Sequence, residues 1–503
     1  MTPPLKRSAT AKPTPLLAAG RLHQALQRDP VRFCHWKSND HLAQALAGET
    51  DIDLFVAPVD QTTFERVAVE MGALRILSQP WSRYPDVDDW LLFDEATGGF
   101  LHLHVHYALI TGLKRIKHLR IPWEGSLLDH LRTDESSGWP IPSAELELLI
   151  LLVRIWAKMP PWRRLINPKL PSHIIKEFHW LRNAAASDKL VALAEQLGLR
   201  IEKTSLLKLM KKEPPPADDI VAIARSINEN LRTHYRMPWI VALASATMRN
   251  SRLGFAKAGR RIGNATQLGK TVVGGGLMIA FVGSDGAGKS TLTLDVEKWL
   301  RYKLDAHTFY MGSGDGGVGL FHTLRRGIKG MARSAGPRLK SKAGDNGKKT
   351  KAIGFFSQLA GLHQLVLMRR KLRLLRLARR IAPMGSIVIT DRYPQSQFHG
   401  ICDGPKLQNG RGFSWAARAE LRLYEEAARL GPDLLIKLSI DSQTAHRRKP
   451  DHDLTTIERK CAIVEQLSFP RSSVVVVDAR QPYQDVLLAV KRAIWSSLVE
   501  HST

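Results

Sequence analysis

Alternating apolar and polar positions mark the first part of the chain. The runs DIDLFV and FLHLHVHYAL alternate as half-buried strands do, and helical segments lie between them. This pattern predicts a small α/β domain over residues 21–135. Residues 1–20 are basic and contain prolines but no continuous apolar core, so they predict a flexible tail and not a signal peptide.

The spacing of apolar residues becomes helical between residues 136 and 250. PSAELELLILLVRIW begins with proline and serine ahead of a glutamate expected to cap a helix, and DDIVAIARSINENL has apolar residues at helical intervals. The apolar run LLILLV is far too short to cross a bilayer. We therefore predict a helical extension and no membrane-spanning segment.

A basic stretch without acidic residues follows at 251–275 and ends at consecutive glycines, which predicts an interdomain linker. After it, LMIAFV predicts a strand, the next nine residues a glycine-rich turn, and TLTLDVEKWL a helix. A strand followed by a helix in this way opens a parallel sheet. We therefore predict a second α/β domain over residues 276–503.

Composition agrees with a globular protein and adds an expected partner. Of 503 residues, 44% are hydrophobic and 24% charged, and 74 Lys and Arg against 47 Asp and Glu give a net charge of +27. Such an excess favours an anionic partner. Cys34, Cys402 and Cys461 lie far apart, which predicts neither a disulfide framework nor a structural zinc site and fits a reducing cytosol.

Much of the positive charge lies in a basic insertion at 316–380. The segment ARSAGPRLKSKAGDNGKKTK has the composition of a disordered region, whereas MRRKLRLLRLARR predicts a helix with a leucine stripe. In LFHTLRRGIKGM, residues Leu320, Phe321, Leu324, Ile328 and Met331 share one helical side opposite arginines. This pattern allows contact with an anionic membrane surface or nucleic acid.

The turn reads GSDGAGKST and fits the phosphate-loop pattern GxxxxGK[ST]. Its glycines let backbone N–H groups converge on phosphate oxygens, and the following helix contributes a favourable dipole. We expect Lys289 to contact the β- and γ-phosphates of ATP and Ser290 to hold Mg²⁺. The expected cofactor-binding residues are Gly283, Ser284, Asp285, Gly286, Ala287, Gly288, Lys289, Ser290 and Thr291.

A second apolar strand, SIVIT, ends at Asp391, Arg392, Tyr393 and Pro394. A carboxylate at the carboxyl end of such a strand can reach the magnesium shell, because ligands collect at that edge of a parallel sheet. An ordinary surface salt bridge between Asp391 and Arg392 is the alternative. We expect Asp391 to contact the metal or the acceptor.

The motifs GSDGAGKST, DRYPQS, PDLLIKLSI and RRKPDHD together resemble the thymidylate kinase family of nucleoside monophosphate kinases, over about residues 276–503. The resemblance implies that Asp391 and Arg392 lie near the acceptor phosphate, and that Asp285 and Ser396 match family positions. It also implies a mobile lid at Arg447, Arg448 and Lys449 over the transferred phosphoryl group. The catalytic residues expected on this basis are Lys289, Asp391, Arg392, Arg447 and Arg448.

Several departures from that family concern the acceptor. QFHGICDGP stands where thymidylate kinases carry a tyrosine-glutamine pair, Val282 replaces a frequent glutamate, and Pro450 interrupts the lid. The domain is most similar to divergent thymidylate-kinase-like proteins of bacterial surface-polysaccharide functions, in which DRYP is followed by DGP, here Asp403 to Pro405. We therefore expect an acceptor other than thymidine monophosphate.

The stretch HWKSNDHLAQALAGETDIDLFV resembles the nucleotidyltransferase superfamily, over about residues 30–110. Strand alternation places Asp51 and Asp53 on one face, where two carboxylates can share the Mg²⁺ of a nucleoside triphosphate. The resemblance implies that Lys37 and Ser38 lie near its phosphates. It also implies a third carboxylate on a later strand, and FLHLHVHYAL is the run in which to look for it.

That run has histidines where the nucleotidyltransferase pattern has an aspartate. His102, His104 and His106 alternate on one face, and neutral imidazole is a poorer ligand for Mg²⁺ than an oxygen anion. The histidines thus predict a domain that binds nucleotide without turnover. A transition-metal site and a plain polar strand face are the two alternatives for the histidines.

These features together predict a cytoplasmic, ATP- and Mg²⁺-dependent phosphotransferase with an unknown phosphorylated acceptor. One alternative is a nucleotidyltransferase whose phosphate-loop domain is a nucleotide sensor. Another is a non-enzymatic ATP-binding scaffold that uses the basic insertion at an anionic surface, including the inner face of the membrane.

Overall fold

The computed structural model describes residues 13–160, 170–211, 216–262, 265–312, 346–407 and 414–502, with side chains in the helix from Asn346 described after residue 360. The chain divides into two compact units, Met1–Val273 and Gly274–Thr503. Within the described residues, no helix combines the length and the hydropathy needed to cross a membrane.

The N-terminal unit begins with a mixed α/β part. Its helices are α1 (Leu17–Arg28), α2 (Leu42–Leu46), α3 (Gln61–Glu70) and α4 (Glu124–Asp129). Its longer strands are β1 (Phe33–His35), β2 (Ile52–Val56), β3 (Leu74–Leu77), β4 (Val87–Phe93) and β5 (Phe100–His106). The short strands β6 (Ile110–Thr111) and β7 (Leu119–Arg120) form one pair, and β8 (Leu131–Thr133) and β9 (Pro140–Pro142) form another.

The main sheet of this unit has the order β1-β2-β5-β4-β3-β10, in which β10 is Thr271–Val272. Strands β2 and β5 run parallel, and the other neighbours are antiparallel. Two registers matter for the chemistry: Asp53 lies opposite His104 on one side, and Asp89 lies opposite the same histidine on the other. Three strands therefore direct polar side chains to one place.

The rest of the unit is helical. It comprises α5 (Ala144–Lys158), α6 (Ser172–Ala184), α7 (Ser187–Gln196), α8 (Lys203–Lys211), α9 (Ala217–Asn230) and α10 (Trp239–Arg261). Helix α5 is buried along almost its whole length, because most of its residues are apolar and α6 and α9 pack against it. Glu147 and Arg154 are buried with them. Ser143 caps α5 by accepting from the Leu146 N–H, whereas the expected capping residue Glu145 accepts from the Ala186 N–H.

Two predicted boundaries differ from the structure. Helix α1 begins at Leu17, inside the predicted tail 1–20, because Ala18, Ala19, Leu22 and Leu26 are buried in the core. Helix α10 continues past residue 250 to Arg261, and β10 pairs with β3, so much of the predicted linker 251–275 belongs to regular elements. The predictions over residues 1–12 lie outside the described residues.

The C-terminal unit contains a five-stranded parallel sheet and flanking helices. Its strands are β11 (Met278–Gly283), β12 (Ala306–Phe309), β13 (Ile387–Thr390), β14 (Leu434–Ser439) and β15 (Ser473–Asp478). Its helices are α11 (Lys289–Leu300), α12 (Asn346–Ile381), α13 (Ser414–Leu430), α14 (Ser442–Arg448), α15 (Leu454–Gln466) and α16 (Tyr483–Ser502).

The strand order is β12-β13-β11-β14-β15, and every neighbouring pair is parallel. The phosphate-loop sequence follows β11, the central strand, and leads into α11. The predicted α/β class with a parallel sheet is therefore confirmed for this unit. The N-terminal unit is also mixed α/β, and its likeness to nucleotidyltransferases stays a prediction.

The basic insertion is described only in part. Residues 313–345, which include the amphipathic stretch LFHTLRRGIKGM, lie outside the described residues. From Asn346 the chain forms α12, so the last residues of the segment predicted to be disordered are helical. The helix predicted for MRRKLRLLRLARR is confirmed, with Met368, Leu372 and Leu375 buried along its stripe.

Candidate functional site

The phosphate loop has a backbone that only glycine adopts easily at two positions. Gly286 and Gly288 have φ of +84° and +83°, in the left-handed region. A Cβ atom on Gly286 would also lie 2.4 Å from the carbonyl oxygen of Ala445 in α14, whereas one on Gly288 would meet nothing within 4 Å. The loop is therefore shaped both by its own backbone and by contact with α14.

Lys289 lies at the start of α11, and its side chain turns back over the loop. The Nζ atom donates to the carbonyl oxygens of Gly283 at 2.8 Å and Ser284 at 2.7 Å. Burial, with a smaller effect of Arg392, lowers the pKa of Lys289 to about 8. Ser290 and Thr291 follow on the exposed side of the first turn, where a hydroxyl is accessible.

The side chain of Asp285 in the phosphate loop pairs with a residue of α15. Its carboxylate pairs with Lys460, and His452 Nδ1 lies 3.6 Å from Oδ2. Burial opposes the ionised form, but the pair with Lys460 outweighs burial and lowers the pKa of Asp285. Lys460 was not predicted from the sequence, since nothing in a helix far along the chain marks it as a partner of the loop.

Asp391 and Arg392 follow directly after β13, the strand beside β11. Asp391 Oδ1 accepts a hydrogen bond of 2.8 Å from the Met311 N–H, and burial raises the pKa of the carboxyl group. Because the two strands are parallel neighbours, their carboxyl ends place Asp391 at the same sheet edge as the phosphate loop. The parallel pairing of β11 with β13 therefore brings the phosphate loop and the Asp391–Arg392 pair to one edge of the sheet.

Arg392 belongs to a group of charges beside this edge. Its Nη1 lies 3.4 Å from Asp403 Oδ2, and its Nε lies 3.8 Å from Asp391 Oδ2. Burial opposes the charge of Arg392, but Asp403 and Asp391 outweigh it and raise the pKa of the guanidinium. Lys371 of α12 completes the group, with Nζ 3.7 Å from Asp403 Oδ1.

The segment from Gln395 to Gly404 has a constrained backbone. Cys402 and Asp403 have φ of +47° and +60°, a left-handed conformation that costs non-glycine residues energy. The Gln395 amide fastens the segment by donating to the carbonyls of Phe398 and Ile401. A Cβ on Gly404 would lie 1.8 Å from the Phe398 oxygen, so glycine is required there. These constraints fix Asp403 against Arg392.

The predicted lid lies on and after α14. Arg447 Nη2 donates to Thr444 Oγ1 at 2.9 Å, Arg448 Nη1 donates to the Ala479 carbonyl at 2.9 Å, and both residues are exposed, as is Lys449. Ala445 of the same helix contacts Gly286. The helix therefore touches the phosphate loop, while both arginines make local contacts within the unit.

A second cluster of titratable side chains lies in the N-terminal sheet. Asp53 Oδ1 is 2.5 Å from Lys37 Nζ, 3.6 Å from His104 Nδ1 and 3.5 Å from His106 Nε2. Burial opposes the Asp53 carboxylate, but Lys37 and the histidines outweigh it and hold its pKa well below the usual range. Asp51 instead pairs with His102 Nδ1 at 2.8 Å.

The third carboxylate of this cluster comes from an unexpected strand. The run FLHLHVHYAL on β5, where we looked for it, has histidines at those positions, and the nearby carboxylate is Asp89 of β4, whose Oδ1 is 3.1 Å from His104 Nε2. Asp51 and Asp53 also have different partners, and Ser38 accepts from Arg154 Nη2 at 3.0 Å. Cross-strand register decides these pairs, and a single strand's sequence does not reveal it.

Comparisons with known proteins give two similar Escherichia coli proteins. In strain K12, the "uncharacterized ATP-binding protein YghR" is 32% identical over 224 residues, which are 43% of this chain and 86% of that protein. The "uncharacterized ATP-binding protein YghS" is 34% identical over 227 residues, 44% of this chain and 93% of that protein. No protein-family model matches the sequence.

Two solved structures of a deoxyadenosine kinase from M. mycoides also show similarity. One, with products dCMP and dCDP, is 15% identical with a TM-score of 0.26, and the other, with dATP, is 16% identical with a TM-score of 0.22. Each match covers 43% of this chain and 97% of the other, and TM-scores this low support no conclusion about this protein. Because identity exceeds 30% over most of both Escherichia coli proteins, the chain belongs to the family of YghR and YghS.

Proposed function

We propose that the C-terminal unit is an ATP-dependent phosphotransferase of the nucleoside monophosphate kinase type. The observation that carries the proposal is the shared sheet edge of the phosphate loop and Asp391–Arg392, on the neighbouring parallel strands β11 and β13. The names of YghR and YghS as ATP-binding proteins support ATP as the phosphoryl donor. The thymidylate-kinase-like motifs support the reaction class.

The donor side of the site consists of the loop and α11. Backbone N–H groups around Gly286 and Gly288 bind phosphate oxygens, and Lys289 moves its two hydrogen bonds from loop carbonyls to the β- and γ-phosphates. Phosphoryl transfer depends mainly on positioning and on neutralising charge. The ammonium group of Lys289 supplies positive charge for this purpose.

The magnesium expected with ATP has suitable oxygen donors at this edge. Ser290 presents a hydroxyl on the first turn of α11. Asp391 accepts from the Met311 N–H with Oδ1, so its other oxygen, Oδ2, is the one that would contact the ion. These are the hard ligands that Mg²⁺ prefers. When bound, the ion would neutralise charge on the β- and γ-phosphates. The Asp285 carboxylate is paired with Lys460 and is therefore not one of the proposed ligands.

On the acceptor side, Arg392 and Lys371 are cations of the described residues that both lie against Asp403. A guanidinium can bind a phosphate with two hydrogen bonds, so we infer that Arg392 grips a phosphate of the acceptor. Arg447 and Arg448 on α14 would approach the transferred group only after leaving Thr444 and Ala479. The acceptor is therefore a phosphorylated small molecule.

Recognition of thymine has no support in these residues. In the segment after Asp391–Arg392, the Gln395 amide donates to backbone carbonyls of the same segment. The segment ends in Cys402 and Asp403, which have a left-handed backbone. Discrimination between bases needs polar groups that a wrong base would leave unpaired. We propose a different phosphorylated metabolite, such as a sugar phosphate of a surface-glycan pathway.

The test is a steady-state assay of the full chain with Mg²⁺-ATP and a panel of nucleoside and sugar monophosphates. We expect transfer to one acceptor class, loss of transfer in Arg392→Ala, and full activity in Arg376→Ala, an exposed arginine of the same unit that pairs with Glu426. For thymidine monophosphate we expect kcat/KM below about 10⁴ M⁻¹s⁻¹, the low end of ordinary enzymes. ATP binding without transfer to any acceptor would instead indicate a sensor or scaffold.

A further inference from the structure

The cluster on the N-terminal sheet has a composition that ATP chemistry does not explain. Strand register brings together Asp53 from β2, Asp89 from β4, and His104 and His106 from β5. Asp53, His104 and His106 each offer one ligand atom, a carboxylate oxygen or a ring nitrogen. These three atoms all lie within 4.8 Å of one another. Two imidazoles and one carboxylate are a common ligand set for transition metals in proteins.

The distances fit one small ion. His104 Nδ1 is 3.6 Å and His106 Nε2 is 3.5 Å from Asp53 Oδ1. Ligand atoms about 2.1 Å from a tetrahedral ion lie roughly 3.4 Å from one another. Both separations exceed an ordinary hydrogen bond, so they are too long for direct pairing and match ligands around a shared ion.

The orientation of His104 supports the same assignment. Its Nε2 lies 3.1 Å from Asp89 Oδ1, and Asp89 is itself paired with Lys270 Nζ at 2.6 Å. A histidine that binds a metal usually donates its other ring N–H to a carboxylate, which fixes the tautomer. With Nε2–H donated to Asp89, the lone pair of Nδ1 points towards Asp53.

His106 gives an independent observation. Its side chain is 1% exposed, and neither ring nitrogen has a hydrogen-bond partner. Buried polar groups without a partner are rare because each one costs stability. A metal ion at Asp53 would satisfy the Nε2 atom, which the surrounding protein does not.

From this geometry we propose that Asp53, His104 and His106 bind a first-row transition-metal ion of the Zn²⁺ type, with Asp89 as the positioning residue for His104. Mg²⁺ is disfavoured because two of the three ligands are imidazole nitrogens. A cavity of about 300 Å³ is lined by His104 and by Asp89, Arg83 and Tyr84 among others, so it reaches one of the three ligands. Three protein ligands leave a coordination position for water or a substrate.

Lys37 is the group that an incoming ion must displace. Its Nζ lies 2.5 Å from the same Asp53 oxygen, so it is the counter-charge of the metal-free cluster. Replacing Lys37 by methionine keeps a similar length and removes a competing positive charge. We expect Lys37→Met to bind the ion about tenfold more tightly, because like charges repel strongly at this separation.

The experiment uses the full chain, stripped with a chelator and titrated calorimetrically with Zn²⁺ and, separately, Mg²⁺. We expect one Zn²⁺ per chain, at least 100-fold weaker binding in His104→Asn and His106→Asn, and roughly 10- to 100-fold weaker binding in Asp89→Asn. The matched control is His41→Asn in the same unit, an exposed histidine whose partner Asp40 is not part of the cluster. Its affinity should stay within about threefold of the parent.

Co²⁺ substitution gives a readout that folding defects do not imitate. We expect the visible bands of a low-coordinate Co²⁺ site in the parent and in Lys37→Met, and their loss in His104→Asn. The competing account makes His104 an imidazolium that bridges Asp53 and Asp89. Absence of the bands, or Zn²⁺ affinity unchanged in both ligand variants, would overturn the metal site and favour that ion pair. Preference for Mg²⁺ over Zn²⁺ would overturn it as well.

Discussion

The contact between Gly286 and α14 allows a quantitative test of the phosphate loop. Gly286 and Gly288 share the same left-handed backbone, with φ of +84° and +83°. Alanine at either position therefore carries the same conformational cost of about 1–2 kcal/mol. The two sites differ only in the room available for a Cβ atom. A Cβ at Gly286 would lie 2.4 Å from the Ala445 oxygen, and a Cβ at Gly288 would meet nothing within 4 Å.

The difference between the two variants isolates the loop–helix contact. An ordinary C···O contact needs roughly 3.2 Å or more, so Gly286→Ala must move the Ala445 backbone by most of an ångström. Overpacking of this kind costs about 1–3 kcal/mol. We expect Gly286→Ala to be less stable than Gly288→Ala by about 2 kcal/mol, or roughly 4–8 °C in melting temperature for a unit of this size.

The assay is thermal unfolding of the full chain without nucleotide, followed by circular dichroism and calorimetry, so that phosphate binding does not enter the comparison. Both variants should melt below the parent protein. Equal melting temperatures for the two variants would refute the reasoning, because they would show that α14 does not pack on the loop at Gly286.

Three further predictions concern single side chains. Lys289→Met should weaken ATP binding by about 3 kcal/mol, roughly 150-fold, because hydrogen bonds from a charged group are lost; calorimetric affinity within threefold of the parent would contradict this role. Lys371→Met should raise the KM for the phosphorylated acceptor at least tenfold and leave ATP affinity unchanged, since Lys371 lies beside Asp403; a change in ATP affinity instead would place it on the donor side. Burial raises the pKa of Glu147 to about 7 from 4.5, so the folded chain keeps a proton that the unfolded chain has released. Stability should therefore fall by about 3 kcal/mol as pH rises from 4.5 to 7, and Glu147→Gln, which keeps the acceptor for the Asn39 N–H, should lose this part of the slope in unfolding measured at pH 5 and pH 8.

Local sequence was sufficient to predict structure that neighbouring residues form. The phosphate loop lies within nine consecutive residues after an apolar strand, and the structure has strand, loop and helix in that order. The helix around Leu372 was equally predictable, because its buried stripe is a property of one segment. Lys371 was missed even so. It is one cation among many in α12, and its place beside the buried Met368 and Leu372 was the available signal.

Boundaries were less predictable because they depend on packing. The prolines and basic residues near the start predicted a tail up to residue 20, but burial of Leu22 and Leu26 begins α1 at Leu17. Thr271–Val272 was predicted to be part of a linker. In the structure it forms a short strand that pairs with the outer edge of β3. An unpaired strand edge is a feature of the sheet and not of either segment.

The sequence by itself determined the chemistry that is available: a phosphate loop, an Asp-Arg pair after a strand, and a row of histidines facing one side. Tertiary structure alone decided which groups meet. The parallel pairing of β2 with β5 and the antiparallel pairing of β4 place Asp53 and Asp89 on either side of His104, and α15 brings Lys460 to Asp285. Strand order and register are set by how whole faces are buried, so contacts between distant segments cannot be read from any one segment.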